Sequence, residues 1–454
     1  PITTLRQINA VLNSIDRLEV RGRDSAGLSL MFHLTRPDFL GFEESIAKQK
    51  LSQQLSERTR ADILVNGNIR IRHFQEPAGE SATTLTFTYK IAAEIGSLGD
   101  NVRFLRCQIQ KDRILQMLLA RPYRHHTVCA HTRWASVGAI TEPNCHPVDN
   151  IATNQNDQDP NDQEGIIHVC LNGDIDNHFS LQKEFESHGG RIHPEVTNDT
   201  KMIPLTIAKH LKKGHDITEA FRLAVNEFEG SHAISMHTDL APGKIFLAQK
   251  GSGQAIFVGL ARDHYMPVSE VYGFVEETDT FVKLDGERFI EGKTGKTQGQ
   301  VFILDQAAGN GLSGITAMYY DGTIIHLSES DIKTTEITSR DIDRQDYAHY
   351  FLKEINEAPR SVEQTLQACW TTDPEHTDRY IIALDETAFP VYLKTALTRK
   401  QINRIFFIGQ GTAGVAAQVC ADIVGYYLND RTLQISALKA SELSGFIIDA
   451  SDDD

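Results

Sequence analysis

Near the end of the chain, a glycine-rich turn has the residue types and spacing to bind an anion. Gly409, Gly411 and Gly414 follow the apolar run RIFFI and precede a second apolar stretch that predicts a helix. Backbone N–H groups at the start of a helix favour an anionic ligand such as phosphate, and Thr412 adds a hydroxyl donor. Dinucleotide-binding turns share this G-x-G-x-x-G spacing but place an acidic residue about 20 positions later, where the strand ending at Ala440 offers none. We favour a phosphate-like ligand over a purely structural turn or a dinucleotide.

A second group of short segments, rich in Arg, Asn, Asp and Gly, lies in the first half of the chain. In order they are RGRDSAGLSL (21–30), HTRWASVG (131–138), NCHP (144–147), LNGDIDN (171–177) and TNDTK (197–201). Together they resemble the glutaminase domain of class II (N-terminal nucleophile) glutamine amidotransferases, most closely that of the glucosamine-6-phosphate synthase family. HYFLKEINEAP (349–359) resembles the inter-domain signature of that family, and RIFFIGQGTAG with LKASELSGF resembles the opening of its sugar-isomerase (SIS) domain.

The resemblance implies a glutamine site with a role for each matching residue. Glutamine is held by its α-carboxylate and α-ammonium, which requires a bidentate cation and a carboxylate, and Arg133 and Asp199 match these positions. Charge on the amide oxygen requires preorganised donors, and Asn172 with the N–H of Gly173 matches the oxyanion hole. Taken alone, these residues predict a surface salt bridge for Arg133, a hairpin turn for Asn172-Gly173 and a helix N-cap for Asp199.

Further positions are implied by the same resemblance. Trp134, which in the family helps to gate an ammonia channel, and Ser136 match residues around bound glutamine. Arg21 matches a residue that supports the nucleophile loop, and Gly411 and Thr412 match sugar-phosphate contacts. Alone, Trp134 predicts a core residue, and Arg21 predicts an ion pair with Asp24.

The nucleophile that the resemblance requires is absent from this sequence. In the family it is an N-terminal Cys whose free α-amine serves as the base, a strand and a helix before the RG-x-DSAG motif. Here 20 residues precede Arg21, they begin with Pro1, and none is Cys. Cys170 lies near the implied oxyanion hole, but its nitrogen is in a peptide bond and it is predicted to be a buried strand residue. We expect either that a first strand precedes Pro1 in a longer protein or that the glutaminase is inactive.

Other positions also depart from the family. Val137 stands where the synthases usually have His, and Ala413 replaces a Ser whose hydroxyl would bind the sugar phosphate. The sequence ends before the serine-rich phosphate loop and the residues that the family uses for ring opening and isomerisation. We therefore expect that this chain alone does not complete the reaction.

The elements that would position these residues follow from hydrophobic periodicity. Apolar residues three or four apart predict helices in four segments, LRQINAVLNSIDRL, DRILQMLLA, NHFSLQKEFESHG and TKMIPLTIAKHLKK. Alternation predicts antiparallel strands in TLTFTYKI and in DILVNGNIRIRHF, the latter with a hairpin turn at Asn66-Gly67. Near the end of the chain, RIFFIG, a helix and TLQISAL predict a strand-turn-helix-strand unit of a parallel sheet.

The resemblance adds an architecture to these elements. It implies an α+β fold, a four-layer αββα N-terminal-nucleophile sandwich with antiparallel sheets, followed by the start of an α/β SIS domain. The expected boundaries are 1–345 for the glutaminase-like domain, with an insertion at about 34–125 packed on the sandwich, 346–398 for the linker, and 399–454 for the incomplete SIS domain.

Composition limits the other functional classes. With 45 Lys+Arg against 61 Asp+Glu, the net charge of −16 argues against a nucleic-acid or anionic-membrane binder. The sequence has no apolar run long enough to span a bilayer and no secretory signal pattern, so we expect a cytoplasmic protein. Its six cysteines form no CxxC pair, which favours free thiols over disulfides or a metal site. No metal or organic cofactor is expected.

Three hypotheses follow. We favour the glutaminase half of an amidotransferase that makes glucosamine 6-phosphate from fructose 6-phosphate, with glutamine and a sugar phosphate as ligands and a homo-oligomer in the full-length form. The alternative is a catalytically inactive glutaminase-like protein that senses glutamine or sugar phosphate, or regulates a partner. A third, an amidophosphoribosyltransferase, is disfavoured by KEINEAP and GQGTAG, because its acceptor domain carries other signatures.

Overall fold

The chain forms two compact units in the computed structural model, Pro1–Asp343 and Arg344–Asp454. The structure describes residues 2–19, 22–76, 79–92, 99–135, 137–154, 165–309, 311–338, 346–373, 376, 378–382, 386, 389–430 and 432–440. The predicted limits of the glutaminase-like domain, the linker and the SIS domain stay predictions.

The first sheet of the first unit has four antiparallel strands in the order β2-β3-β1-β4. They are β1 (Ser25–Thr35), β2 (Ile69–Gln75), β3 (Ser81–Ala92) and β4 (His125–Arg133). Five helices belong to the same part of the chain: α1 (Ile2–Leu18), α2 (Arg36–Lys48), α3 (Ser52–Arg58), α4 (Asp100–Lys111) and α5 (Arg113–Leu119). Apolar residues at alternate positions of β1, Leu28, Leu30 and Phe32, are fully buried in a core shared with these helices. The intervening residues face the opposite way, because side chains alternate along a strand.

The second sheet has seven antiparallel strands in the order β18-β17-β16-β10-β9-β7-β5. They are β5 (Val148–Asp149), β7 (Ile167–Gly173), β9 (His232–Thr238), β10 (Lys244–Lys250), β16 (Gln300–Asp305), β17 (Ile315–Tyr319) and β18 (Ile324–Ile325). Helices α6 (His178–Ser187), α7 (Met202–Lys212) and α8 (Ile217–Glu227) share a core with one face of this sheet. The helices predicted from periodicity within α1, α5, α6 and α7 are confirmed.

The other face of the second sheet meets the first sheet through polar side chains. Ser29 Oγ lies 2.8 Å from His168 Nδ1 and 3.0 Å from His237 Nε2, and Thr127 Oγ1 lies 2.8 Å from His237 Nδ1. All four residues are buried. The layer order is therefore helices, sheet, sheet, helices, and the predicted α+β sandwich with antiparallel sheets is confirmed.

Smaller sheets complete the first unit. A four-stranded sheet has the order β12-β11-β13-β19, with β11 (Phe257–Leu260), β12 (Tyr265–Val268), β13 (Thr280–Lys283) and β19 (Lys333–Thr334). Two antiparallel pairs join β6 (Thr153–Asn154) to β8 (Gly190–Arg191) and β14 (Ile290–Gly292) to β15 (Gly295–Thr297). Among the described strands, β4 ends the first sheet and β12 ends this smaller one.

The segment between β1 and β4, predicted as an insertion at about 34–125, supplies β2, β3 and helices α2 to α5. The insertion stays a prediction, and one expectation about this segment needs correction. The hairpin at Asn66-Gly67 is wrong, because β2 pairs with β3 and no strand precedes the turn. Before the turn, the carbonyl oxygen of Leu64 accepts a hydrogen bond from Lys90 Nζ at 2.8 Å.

Asp112 connects α5 to the rest of the helical layer. It accepts N–H bonds from Ile114 and Leu115 at the start of α5, two bonds from Arg58 (2.6 and 2.9 Å) and one from the Tyr89 hydroxyl (2.7 Å). Burial opposes ionisation, but the hydrogen bonds and charge of Arg58 hold the pKa of Asp112 below its ordinary value. Ionised Asp112 therefore stabilises the fold.

Replacing Asp112 with Asn is expected to lower the free energy of unfolding by about 2 kcal/mol, because it weakens a helix cap and a buried ion pair. The wild-type contribution is present above the ordinary carboxyl pKa and is lost as the pH falls through the lower folded-state pKa. Urea unfolding at several pH values measures both effects. Asp100→Asn, which removes the same charge from the exposed pair with Arg103, is the control, and equal losses in the two variants would contradict the prediction.

The second unit contains a small parallel sheet. Its elements are α9 (Tyr350–Cys369), β20 (Trp370–Thr372), β21 (Tyr380–Ile382), α10 (Val391–Thr398), β22 (Arg404–Gly409), α11 (Thr412–Leu428) and β23 (Gln434–Lys439). β22 and β23 are parallel, with α11 between them in the chain, so the predicted strand-turn-helix-strand unit is confirmed. Most of LKASELSGF lies outside the described residues. None of the described helices, in either unit, is both long and apolar enough to cross a membrane.

Candidate functional site

A cavity of about 820 Å³ in the first unit collects five of the residues singled out from the sequence. They are Arg133, Trp134, Asn172, Gly173 and Asp199. Arg21 and Ser136 lie outside the described residues. Gly411 and Thr412 belong to the second unit.

The backbone places Asn172 and Gly173 at the end of β7. Gly173 pairs with His232 of β9 and has φ +87°, a conformation that favours glycine. A Cβ at this position would lie 2.1 Å from the carbonyl oxygen of Ser231. The alternative of a hairpin turn is wrong, since both residues are part of the sheet.

His131 fixes the side chain of Asn172, and its role was not predicted from the sequence. His131 Nε2 lies 2.8 Å from Asn172 Oδ1. Burial lowers the pKa of His131 to about 4, so the ring is neutral at pH 7 and its Nε2–H donates to the amide oxygen. The Nδ2 amide group of Asn172 then remains as the donor that an oxyanion would need.

Arg133 is the last residue of β4 and is 4% exposed, so the alternative of a surface salt bridge is wrong. Its guanidinium donates to the carbonyl oxygens of Val137 and Ala139, which follow it in the chain. Burial lowers the pKa of Arg133, opposed by the nearby carboxylates of Asp199 and Asp24. Asp24, from the RGRDSAG motif, accepts the N–H of Ala135 at 2.8 Å.

Asp199 begins a short 3₁₀ turn before α7 and is also buried. Its Oδ2 accepts the N–H of Ile175 at 2.9 Å, two residues after Gly173. The N-cap alternative is wrong for Asp199, because Asn198 accepts the N–H of Lys201 at that position. Burial raises the pKa of Asp199 despite the hydrogen bond from Ile175.

Residues of the NCHP segment hold the residues on both sides of Asp199, and these contacts were not predicted from the sequence. Asn144 Oδ1 accepts the N–H groups of Thr197 (2.7 Å) and Asn198 (3.0 Å). His146 Nδ1 accepts the N–H of Leu171, so its Nε2–H donates to Thr200 Oγ1 at 2.9 Å. The motif order was the only signal for these contacts, because they join residues about 25 to 54 positions apart.

Trp134 and two cysteines also line the cavity. Trp134 is 73% exposed, so the core alternative is wrong. Cys129 of β4 and Cys170 of β7 are buried, as predicted for Cys170. No cluster of three or more His, Cys, Asp or Glu side chains suited to a metal ion occurs in the described part of the chain.

In the second unit, Gly411 and Thr412 form the start of α11. Gly411 has φ +60° and precedes the first helical residue, Thr412, with no side-chain cap. Both residues are exposed. The helix N–H groups at this end are suitably placed for an anion.

Two curated proteins similar to this chain carry the same name. It is 28% identical over 306 residues to glutamine–fructose-6-phosphate aminotransferase (isomerizing) of Methanothermobacter thermautotrophicus, covering 67% of this chain and 41% of that protein. The Sulfurisphaera tokodaii enzyme of the same name is 27% identical over 323 residues, covering 71% and 45%. The chain is thus similar in sequence to proteins named glutamine–fructose-6-phosphate aminotransferase. It spans less than half the length of these two relatives.

No family model matches the chain. Among solved structures, glutamine phosphoribosylpyrophosphate amidotransferase from B. subtilis, complexed with ADP and GMP, is 14% identical, covers 66% of this chain and 50% of that chain, and has a TM-score of 0.34.

Proposed function

We propose that this chain carries the glutaminase half of a glutamine-dependent amidotransferase that converts fructose 6-phosphate to glucosamine 6-phosphate. The observation that carries the proposal is the convergence of Arg133, Asn172, Gly173 and Asp199 on one cavity. The names of the sequence relatives support the substrate pair, glutamine and a sugar phosphate. We further propose that 1–345 is the glutaminase-like domain, 346–398 the linker and 399–454 the start of the SIS domain.

In this proposal the two buried charges bind the backbone groups of glutamine. Arg133 uses two carbonyl contacts to fix its guanidinium, and the fork geometry leaves further N–H groups for the α-carboxylate. Asp199 is held by Ile175 and receives the α-ammonium. Both ionic contacts are strong in this site because it is largely removed from water.

The side-chain amide of glutamine would then lie against Asn172 and Gly173. His131 fixes the orientation of the Asn172 amide, and the N–H of Gly173 supplies a second donor for the oxygen that becomes negative during attack. Trp134 at the cavity wall would limit escape of ammonia. Arg21 and Ser136 keep the roles implied by the resemblance.

The thiolate would enter the cavity from an N-terminal Cys on a strand upstream of Pro1. Among the described strands, β4 and β12 are edge strands of their sheets, and both line the cavity through residues 126–134 and 265–268. A strand inserted there would gain backbone hydrogen bonds from both edges. A strand at either edge would place its residues beside the cavity that Asn172 lines.

For the second unit we propose a sugar-phosphate contact at Gly411 and Thr412. The start of α11 offers N–H groups and a hydroxyl to an anion. The cytoplasmic location and the homo-oligomer remain predictions.

Titration calorimetry tests the glutamine site directly. We expect glutamine to bind and N-acetylglutamine, which lacks the α-ammonium, to bind at least roughly 10-fold more weakly, because Asp199 loses its partner. Fructose 6-phosphate is titrated separately. Binding of neither glutamine nor the sugar phosphate would refute both the amidotransferase and the sensor.

Replacing Asp199 with Asn is expected to weaken glutamine binding roughly 10- to 100-fold. The variant keeps an oxygen acceptor for Ile175 but removes the charge opposite the α-ammonium, and hydrogen bonds to charged groups contribute about 1.5–3 kcal/mol. Asp176→Asn removes the same charge from an exposed carboxylate that does not line the cavity and should bind as the wild type does. Equal affinities in all three proteins would contradict the assigned role.

A glutaminase-like protein that binds glutamine without hydrolysing it is the second candidate. It is favoured by one observation, that Cys129 and Cys170, the cysteines lining the cavity, are both internal residues whose nitrogens cannot act as a base. N-terminal sequencing of the native polypeptide, followed by an ammonia-release assay, separates the two. A processed N-terminal Cys with ammonia release supports the enzyme, and glutamine binding without either supports the sensor.

A further inference from the structure

Cys129 and Cys170 form a close thiol pair between the two sheets of the sandwich. Their Sγ atoms are 3.5 Å apart, although the residues belong to β4 of the first sheet and β7 of the second. Cys129 Sγ also lies 3.4 Å from Ser235 Oγ of β9. The glutamine proposal uses neither thiol.

The surroundings make the two thiols unequal. Hydrogen bonds from Cys170 and Ser235 lower the pKa of Cys129 in spite of its burial, whereas burial raises the pKa of Cys170. The thiolate is the reactive form of cysteine. Because Cys129 Sγ also contacts the Ser235 hydroxyl, which can stabilise a thiolate, we assign Cys129 as the first nucleophile and Cys170 as its partner.

The pair is accessible to a small oxidant although it is shielded from bulk solvent. Both cysteines line the cavity of about 820 Å³, and its volume admits molecules of the size of water or hydrogen peroxide. A third thiol, that of Cys145, is fully buried and does not line this cavity.

We propose that Cys129 and Cys170 are a peroxide-oxidisable pair that forms a reversible disulfide joining the two sheets. The Cys129 thiolate attacks one oxygen of hydrogen peroxide, the O–O bond breaks, and a sulfenic acid and hydroxide result. The hydroxide takes up the proton that Cys129 released on ionisation and becomes water. The Cys170 sulfur then attacks the Cys129 sulfur, the S–O bond breaks, and the leaving hydroxide takes the Cys170 proton to form water. In total, two thiols lose two electrons and one peroxide becomes two waters.

The disulfide has a geometric consequence at the neighbouring residues. The Sγ atoms must approach from 3.5 Å to about 2 Å, which draws β4 and β7 together. His131 and Asn172 each lie two residues beyond a cysteine, on the same faces of these strands, and are already joined by a hydrogen bond. Oxidation therefore displaces Asn172 relative to the rest of the cavity.

Mass spectrometry of the folded chain tests the pair. In a variant with Cys107, Cys369 and Cys420 replaced by Ser, which removes the thiols that are not fully buried, hydrogen peroxide should lower the intact mass by about 2 Da without adding oxygen. A thiol reductant should reverse the change. Peptide mapping should join Cys129 to Cys170.

Matched variants make the assignment specific. In the same background, Cys145→Ala should leave the cross-link unchanged, and Cys129→Ala or Cys170→Ala should abolish it. A cross-link that involves Cys145, oxygen addition in place of mass loss, or no change in the folded protein would each overturn the proposal. The wild-type measurement keeps the test valid if a variant fails to fold.

A second readout rests on the proposed function. Oxidation should weaken glutamine binding roughly 10-fold or more, because small displacements of binding groups have large effects, and reduction should restore it. If the disulfide forms but the reduced protein binds no glutamine, the proposed function fails and the thiol pair stands. If the disulfide forms and glutamine affinity is unchanged, the link between the pair and the site is wrong.

Discussion

The free energy of unfolding should fall steeply as the pH drops below about 6.5, because five histidines are buried without charge. Burial lowers the pKa of His131 to about 4 and of His168 and His232 to about 3, and it holds those of His146 and His237 well below the ordinary value. In the unfolded chain these side chains regain a pKa of about 6.5 and take up protons. Stability is therefore present above that pH and is lost below it.

The effect is large because the five groups act together. Each proton taken up on unfolding contributes about 1.4 kcal/mol per pH unit, so five histidines give a limiting slope of about 7 kcal/mol per pH unit. Urea unfolding between pH 7.5 and 5 measures the slope. We expect the domain to unfold in mild acid.

A single-site variant tests the origin of that slope. His168→Asn keeps a polar group beside Ser29 but removes one titrating ring, and it should reduce the slope by about one proton. Replacing His188, an exposed residue at the end of α6, with Gln is the control and should leave the slope unchanged. An equal slope in wild type and His168→Asn would show that this buried ring does not drive acid unfolding.

Replacing Gly173 with Ala should destabilise the first unit by about 3–4 kcal/mol, near the upper end for point substitutions. Gly173 has φ +87°, which costs a non-glycine residue about 1–2 kcal/mol. Its new Cβ would also lie 2.1 Å from a backbone oxygen, that of Ser231, so β7 or β9 must shift. Denaturant unfolding gives the loss, and glutamine titration of the remaining folded protein should show weaker binding.

The Gly214→Ala variant separates the cost of backbone strain from the cost of the close contact at Gly173. Gly214 has φ +90°, but a Cβ there meets no atom within 4 Å. Its substitution should cost only the backbone term, about 1–2 kcal/mol. If Gly173→Ala and Gly214→Ala lowered the free energy of unfolding equally, the close contact with the Ser231 oxygen would contribute nothing to the loss.

Local sequence pattern predicted much of this fold, and motif order selected residues that the structure brings to one cavity. Helices such as α1 and α7 were readable because apolar spacing is a property of neighbouring residues. The hairpin at Asn66-Gly67 was wrong because the real partner of β2 is β3, while a long-range bond from Lys90 satisfies the preceding loop. A local sequence pattern contains no information about which distant side chains contact each other.

The same reason explains which site residues were missed. Arg133, Asn172, Gly173 and Asp199 stand within motifs that resemble a known family, and the structure brings them to one cavity. The contact of His131 with Asn172 joins residues 41 positions apart. It could be found only once β4 and β7 were known to face each other.

The polar layer between the sheets sets the alignment of β4. Thr127, Cys129 and His131 contact His237, Cys170 and Asn172 at successive alternate positions, and Arg133 is the next residue on that face. Six residues of strand span about 20 Å, so a contact at Thr127 determines where Arg133 lies at the far end. A one-residue slip would turn the whole set to the other face. Apolar packing alone would allow the two sheets to slide past each other. The hydrogen bonds between them fix a single relative position.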